Sequence, residues 1–378
     1  MNNRILIFDT KVSGHHVEYI HHLLQKANLS KDEYVFYLPK QFEKAKGNDL
    51  NWSYGDNISF HFFDVDDRLE KAPLLLSSYR KCLLLKHAIR EQNVTHVFLI
   101  TLMEYIPFLS FIISRSNIRI SGIIYQIYLY RWKSSSLLQK LMDVCKYLIL
   151  TYSKCIDAIY VLNDIASVRR FNYLYHTNKY KFLVDPYVPL KVVNMDLSTL
   201  GIKEGNTVFF HFGSLAERKG TLDLLKAIKL INSERLSKFT FILAGRVSES
   251  IKDEFYTLLN DISFLNICQI IVLDEFCDYE LIAELCKRSD MLLMPYKVIS
   301  QSSGLIGYAA QYNTPVLAPA NGLIGKLVKK YKLGYLLKSV TPIEIATFIN
   351  EMDLNKRDVS KEYLKENTID NFITGIVF

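Results

Sequence analysis

Short, strongly apolar runs alternate with stretches of helical periodicity along almost the whole chain, and that alternation leaves few folds open. RILIF (4–8), YVFYL (34–38), ISFHFF (58–63), HVFLIT (96–101), RISGIIYQ (119–126) and AIYVL (158–162) all have strand length. They are rich in Ile, Val, Phe and Tyr, so they predict strands buried on both faces of a parallel sheet. Helical patterns fall between them, at 15–27, 73–91 and 135–152, with a further segment behind the sixth strand at 163–171. The alternation breaks at VDPYVPLKVVNMDLSTLGIKEGN (184–206), where two prolines, two glycines and no periodicity predict a linker. A second series follows, with strands at 208–212, 239–244, 270–273, 291–295 and 315–318. Its helices are expected at 221–233, 249–260, 279–288 and 304–312.

The 378 residues exceed one ordinary core and suit two domains of about 150 to 200 residues. The expected organisation is α/β, with one domain over 1–190 and a second over 191–360. Residues 361–378 are expected to form a C-terminal segment packing back on the first domain. Ligands of open parallel sheets bind outside the carboxyl ends of the strands, so two such domains predict a central cleft between facing halves.

Composition removes several classes. Apolar residues make up 49% and charged ones 22%, a packed globular chain and not a disordered one. The apolar run at the start breaks at Asp9, too early for a secretory signal, and no later run is long enough to span a bilayer. The six cysteines form no C-x-x-C pair, which points to reduced thiols and a cytoplasmic setting. Cys277 and Cys286 have no partner at ligand spacing, so no metal is expected. Of the net charge of +7, the surplus lies early: residues 1–195 carry 25 Lys and Arg against 17 Asp and Glu, and the rest 21 against 22. Such a surplus suits an anionic membrane face or an acidic acceptor, or is a plain basic surface. No Lys/Arg run with interleaved aromatics occurs, so no nucleic-acid partner is expected. The segment 133–155 mixes apolar runs with Lys133, Lys140, Lys146 and Lys154; it either rests on a membrane or packs on its own sheet.

Two segments could carry chemistry. In FFHFGSLAERKG (209–220) a strand ends at Phe212, Gly213 permits a tight turn, and Arg218 and Lys219 stand just before a helix. Two cations and free helix N–H groups at a strand's carboxyl end suit phosphates; the alternative is a turn whose cations are merely solvated. In SQSSGLIGYAAQYNTP (300–315), Ser302 and Ser303 are expected to cap a helix, with N–H groups of Gly304 and Leu305 beside them; an ordinary N-cap is the alternative. In the first half, VSGHHVEYI offers Gly14, His15 and His16 on the first strand–helix loop; the histidines are plain helix-start residues, polar contacts or, with Glu18, a metal site whose spacing is poor. Glu104 in TLMEY is the best-placed carboxylate there.

These segments resemble the retaining, family-four (group one) glycosyltransferases of the GT-B fold. Arg218-Lys219-Gly220 looks like their R/E-K-G element, and LIAELCKRSDMLLMPY (281–296) like their helix followed by ADxxxxPS. SSGLIGYAAQYNTPVLAP with NGLIGKLVKKYKLGYLL is similar to their GxxxxEAxAxGxPVxA and GGxxxxVxxxxxG blocks, and FILAGR (241–246) to their strand-G-x turn. The likeness covers about 130 residues of the second half; in the first it rests mainly on VSGHHVEYI.

The resemblance implies two facing Rossmann-like domains and a nucleotide-diphosphate sugar as donor substrate, with no cofactor required. Arg218 and Lys219 would neutralise the diphosphate, with His15 as a third catalytic residue. Gly213, Arg246, Ser302, Ser303, Gly304, Leu305 and Tyr308 would line the donor, and Gly14 and His15 the acceptor side. Implied partners are that donor and a saccharide or lipid-linked acceptor, with peripheral membrane contact through the basic half. The sequence departs from the family where its paired glutamates stand, having Ser300 and Tyr308, and has Gln126 where a His often follows the fifth strand. Those losses keep open an inactive relative that binds nucleotide sugar or glycan, beside a two-domain solute-binding protein.

Overall fold

The computed structural model describes residues 3–12, 15–45, 51–65, 72–113, 118–190, 195–265, 267–300, 304–353 and 359–378, with backbone alone for His15 and Phe264. Two compact units arise, one of Met1–Asp185 with Ile369–Phe378, the other of Pro186–Thr368.

The first unit is built on a parallel seven-stranded sheet of β1 (Arg4–Phe8), β2 (Glu33–Pro39), β3 (Ile58–Phe63), β4 (His96–Leu99), β5 (Arg119–Ile124), β6 (Ile156–Leu162) and β7 (Tyr180–Leu183), in the order β3-β2-β1-β4-β5-β6-β7. Ile5 of the central β1 stands between Tyr34 of β2 and His96 of β4. Helices α1 (His15–Asn28), α2 (Leu74–Gln92), α3 (Leu137–Tyr152) and α4 (Ile165–Leu174) connect the strands. Asp164 caps α4 by accepting from the Ser167 N–H at 3.1 Å, and α2 ends at Asn93 in the left-handed conformation. Right-handed crossovers send α1 to one face of the sheet and α2 and α3 to the other, because the chain moves outward from β1 in opposite directions.

β7 is the strand of this sheet that the sequence reading leaves out. YKFL is only four residues long and exposes Lys181 and Phe182, so it lacks the continuous apolar run of its neighbours.

The second unit holds a parallel six-stranded sheet: β8 (Thr207–Phe212), β9 (Phe239–Ala244), β10 (Gln269–Leu273), β11 (Met291–Leu293), β12 (Val316–Pro319) and β13 (Gly334–Leu337), in the order β10-β9-β8-β11-β12-β13. Its helices are α5 (Thr221–Ile228), α6 (Lys252–Leu265), α7 (Tyr279–Arg288), α8 (Ile306–Tyr312), α9 (Gly322–Lys330) and α10 (Pro342–Glu351). Phe209, Phe241, Leu224, Phe255 and Ile349 fill the core between the sheet and helices α5, α6 and α10. The helix expected over 221–233 stops at Ile228, and a short turn of helix capped by Asn232 follows at Ser233–Leu236.

The final helix, α11 (Ile369–Gly375), belongs to the first unit. Phe372 stacks on Tyr19 with ring centres 5.2 Å apart. Lys26 donates to the Ile373 carbonyl at 2.7 Å, and Val377 N–H donates to the Tyr160 hydroxyl at 2.9 Å.

Candidate donor site in the second unit

The order of the second sheet reverses between β8 and β11, so the loops after these two strands meet at its switch point, where open α/β sheets bind ligands. Gly213 follows β8 with φ +93°. Gly245 follows β9 with φ +131°, and a Cβ on it would stand 2.0 Å from the Gly213 carbonyl oxygen, so only glycine permits this approach. Beyond the glycines the two loops stay joined: Leu215 N–H donates to the Arg246 carbonyl at 3.0 Å, and Ser248 N–H to the Leu215 carbonyl at 2.8 Å. Arg246 thus spends its carbonyl on the fold and leaves its side chain exposed.

The chain then makes a single tight turn, Glu217–Lys219, and enters α5 through Gly220 at φ +73°. A Cβ on Gly220 would lie 1.9 Å from the Pro295 carbonyl oxygen. The Arg218 carbonyl accepts from Lys297 N–H at 3.0 Å and Val298 N–H at 3.3 Å, which ties this turn to the segment after β11.

The turn sends its two cations to different environments. Arg218 is exposed, whereas Lys219 is buried, with its ammonium 3.7 Å from the centre of the Tyr296 ring. Burial first, and the Arg218 charge second, lower the Lys219 pKa to about 7. The nearby carboxylates Glu217 and Asp223 are engaged by Lys297, at 2.6 Å in the case of Asp223. Beneath the turn, His211 is fully buried and pushed down to about 4, chiefly by burial. Its Nδ1 lies 2.9 Å from the Leu293 carbonyl and its Nε2 3.0 Å from the Thr221 hydroxyl. A neutral ring protonated on Nδ1 satisfies both, donating to the carbonyl and accepting from the hydroxyl.

Several of the expected site residues come together here. Leu305 approaches within 3.9 Å of the place a Cβ on Gly213 would take. The Tyr308 ring lies 5.6 Å from that of Phe212 at the end of β8 and 5.4 Å from that of Tyr187. Gly304 is exposed, with nothing within 4 Å of an added Cβ. Ser302 and Ser303 lie outside the described residues. The expectation that they cap the helix is corrected in one respect: α8 starts at Ile306, two residues later than expected, and its N-cap position is Leu305, with no side-chain hydrogen bond. Ser300, at one of the family's glutamate positions, is buried.

The first sheet has its switch point between β1 and β4. Gly14 lies outside the described residues, as does the side chain of His15. Asp9, at the end of β1, accepts from the Thr10 and Lys11 N–H groups at 2.7 and 3.1 Å, and its other oxygen lies 2.6 Å from Nδ1 of buried His16. Glu104 is held between Lys11 and Lys81, the latter at 2.5 Å. Burial alone would raise the Glu104 pKa, but its hydrogen bonds from the two lysines outweigh that and hold it below the ordinary carboxylate range. Gln126 is exposed, and its carbonyl accepts from the Tyr147 hydroxyl at 2.8 Å. The sequence reading singles out His16 and Glu104 but not Asp9, Lys11 or Lys81. The signal it passes over is that Asp9 interrupts an apolar run at the carboxyl end of a central strand.

Among the described residues no helix is long and apolar enough to cross a membrane, and no group of three His, Cys, Asp or Glu residues could hold a metal ion.

Residues 196–370 match the family described as glycosyl transferases group 1. The second unit therefore carries the group 1 glycosyltransferase pattern. Over the whole chain the fold is GT-B. HepE from Anabaena, solved in complex with UDP and glucose, aligns with a TM-score of 0.67 over 99% of this chain and 98% of its own, at 15% identity. Sucrose-phosphate synthase from Thermosynechococcus elongatus gives 0.67 over 98% and 95%, at 12% identity. WaaG, a glycosyltransferase involved in lipopolysaccharide biosynthesis, gives 0.66 over 96% and 94%, at 11% identity. Comparison of the sequence with curated proteins finds no match.

Proposed function

We propose that this protein is a metal-independent glycosyltransferase that moves a sugar from a UDP- or GDP-linked donor to a saccharide or lipid-linked acceptor, with retention of configuration. It would serve the synthesis of surface polysaccharide or glycoconjugate, in the cytoplasm or peripherally at the inner face of the membrane. The observation that carries the reading is the Arg218–Lys219 pair at the switch point of the second sheet, with the adjacent carboxylates already taken by Lys297. A diphosphate brings the charge that this pair lacks. Exposed Arg218 can grip two phosphate oxygens at once, while Lys219 supplies a point charge in a dry setting where it acts most strongly. Negative charge grows on the diphosphate as the sugar–phosphate bond breaks, so both cations stabilise the transition state more than the bound donor.

Arg246, Gly304, Leu305 and Tyr308 would border the donor, together with Gly213, Ser302 and Ser303. The loop after β1, with Gly14 and His15, would serve the acceptor. The HepE structures, of like fold, hold UDP, UDP with glucose, and UDP-glucose, which supports a nucleotide-sugar donor here. Ser300 and Tyr308 at the family's glutamate positions favour a second reading, a binder of nucleotide sugar without turnover. Hydrolysis and transfer assays with UDP- and GDP-sugars decide between them. Turnover that falls about 100-fold or more in Arg218→Ala supports the enzyme. Donor binding that depends on Arg218 with no turnover supports the inactive relative, and donor affinity unchanged after both cations are neutralised refutes both.

A further inference from the structure

Helix α3 buries one face and exposes a second, apolar one. Asp143, Tyr147, Leu150 and Thr151 are turned inward and buried. At about 100° per residue, Leu137, Leu138, Leu141, Met142, Leu148 and Tyr152 fall on the opposite side, and all six are exposed, Leu137 at 84% and Leu138 at 68%. A helix packing only on its own sheet would place polar residues there. Lys146 falls on one flank of this stripe, whereas Lys140 projects to the side of Tyr147 and Thr151 and lies 5.5 Å over the ring of half-exposed Trp132.

The apolar surface extends beyond one helix. The Ser110 hydroxyl donates to that of Ser153 at 2.7 Å, which sets the short helix Leu109–Ile113 beside the end of α3. Tyr79 of α2 packs edge-on against Phe108, with ring centres 5.5 Å apart. On these neighbours Phe111 is 75% exposed and Leu74 88%. Monomeric proteins rarely leave so many large apolar side chains in water on adjoining elements.

We propose that this face of the first unit docks on an anionic lipid bilayer, with α3 lying in the interface plane. Three features select a bilayer. The apolar stripe runs along the helix and is flanked by Lys146, whose stem can lie in the acyl region while its ammonium group reaches the headgroups. Trp132 and Tyr152 supply the amphipathic aromatics that favour the interface. The chain's basic surplus lies wholly in residues 1–195, which is complementary to anionic lipid. This assigns a surface to the peripheral membrane contact of the proposed function, and it rests on that reading only for which membrane face is met.

The test is co-flotation of the full chain with vesicles of phosphatidylcholine alone or mixed with phosphatidylglycerol, without nucleotide. The expected result is binding to the mixed vesicles that weakens as salt is raised. Leu138→Ser with Leu141→Ser should lower it by roughly tenfold per leucine with the melting temperature unchanged, since both side chains already face water. Lys219→Ala should bind vesicles as the wild type does, so failure of the donor site and failure of the membrane surface are read separately. The inference is overturned if the wild type stays off the mixed vesicles at low salt, or if the double variant floats equally well. It is overturned too if ultracentrifugation shows the stripe covered by a second copy of the chain that the double variant sheds.

Discussion

Lys219 holds its ammonium 3.7 Å from the centre of the Tyr296 ring, while Arg218, one residue earlier, faces solvent. The pair therefore combines a permanent charge with one that depends on pH. Lys219 titrates at about 7, lowered first by burial and then by Arg218. A bound pyrophosphate stabilises the ammonium form, so binding takes up a proton once the free lysine has lost its own. Donor affinity should be level below about pH 7 and weaken by up to tenfold per pH unit above it. Titration calorimetry in two buffers of different ionisation heat reads the proton uptake directly, and an affinity independent of pH with no uptake would refute the role. For folding the sign is reversed. The folded pKa lies below the ordinary 10.5, so between the two values the unfolded chain binds more protons and the Lys219 contribution to stability grows with pH. Lys219→Met should flatten that rise.

Two buried histidines make the fold acid-sensitive. His211 is lowered to about 4 and His22 to about 3, burial being the largest cause in each. In the unfolded chain both titrate near the ordinary 6.5. Their contribution is thus full at neutral pH and lost as pH falls from about 6.5 towards 4, at up to about 1.4 kcal/mol per pH unit for each ring. His22 lies among Tyr19 and Phe372, so His22→Phe should keep the packing and remove one proton from the slope. Denaturant midpoints measured between neutral and mildly acid pH test this; an unchanged slope in the variant would assign the acid sensitivity elsewhere.

Gly245 and Gly304 should respond in opposite ways to alanine. At Gly245 the added Cβ would stand 2.0 Å from the Gly213 carbonyl oxygen, in a backbone conformation that L residues rarely adopt. Gly245→Ala should cost at least about 2 kcal/mol and weaken donor binding with it. At Gly304 the Cβ meets nothing within 4 Å. Gly304→Ala should stay within about 0.5 kcal/mol of wild type. Weaker donor binding in this stable variant would mean that a ligand comes close to the backbone there, whereas unchanged binding would remove Gly304 from the donor site.

Glu104 is clamped by one half-exposed lysine and one buried one. The side chain of Lys11 is 41% exposed and that of Lys81 11%. Glu104→Gln removes the counter-charge of buried Lys81 and should cost about 1 to 3 kcal/mol. Lys11→Ala should cost less than about 1 kcal/mol, since water replaces the lysine. Chemical denaturation of the two variants should separate them in that order.

The fold was legible wherever a buried apolar run met a clear stop. β1, β3 and α7 were read with their observed limits, because Asp9, Asp64 and Ser289 end patterns that burial on the sheet enforces. β7 and β13 were not legible, since four-residue strands at the sheet edges carry too few apolar positions to reveal a period. At the candidate site the identities of Arg218 and Lys219 could be read, but not their divergence. Which cation is buried depends on the left-handed turn at Gly220 and on the carbonyl of Pro295, 75 residues away in sequence. The Asp9–His16 pair is similar: seven residues separate them, and only the path from β1 into α1 brings them together.

The return of Ile369–Phe378 to the first unit imposes an order on synthesis. Tyr160, Lys26 and Tyr19 leave the ribosome early but meet Val377, Ile373 and Phe372 only after every residue of the second unit has been made. The unit translated first is therefore completed last, and until then the nascent chain presents an unfilled hydrophobic seat beside α1.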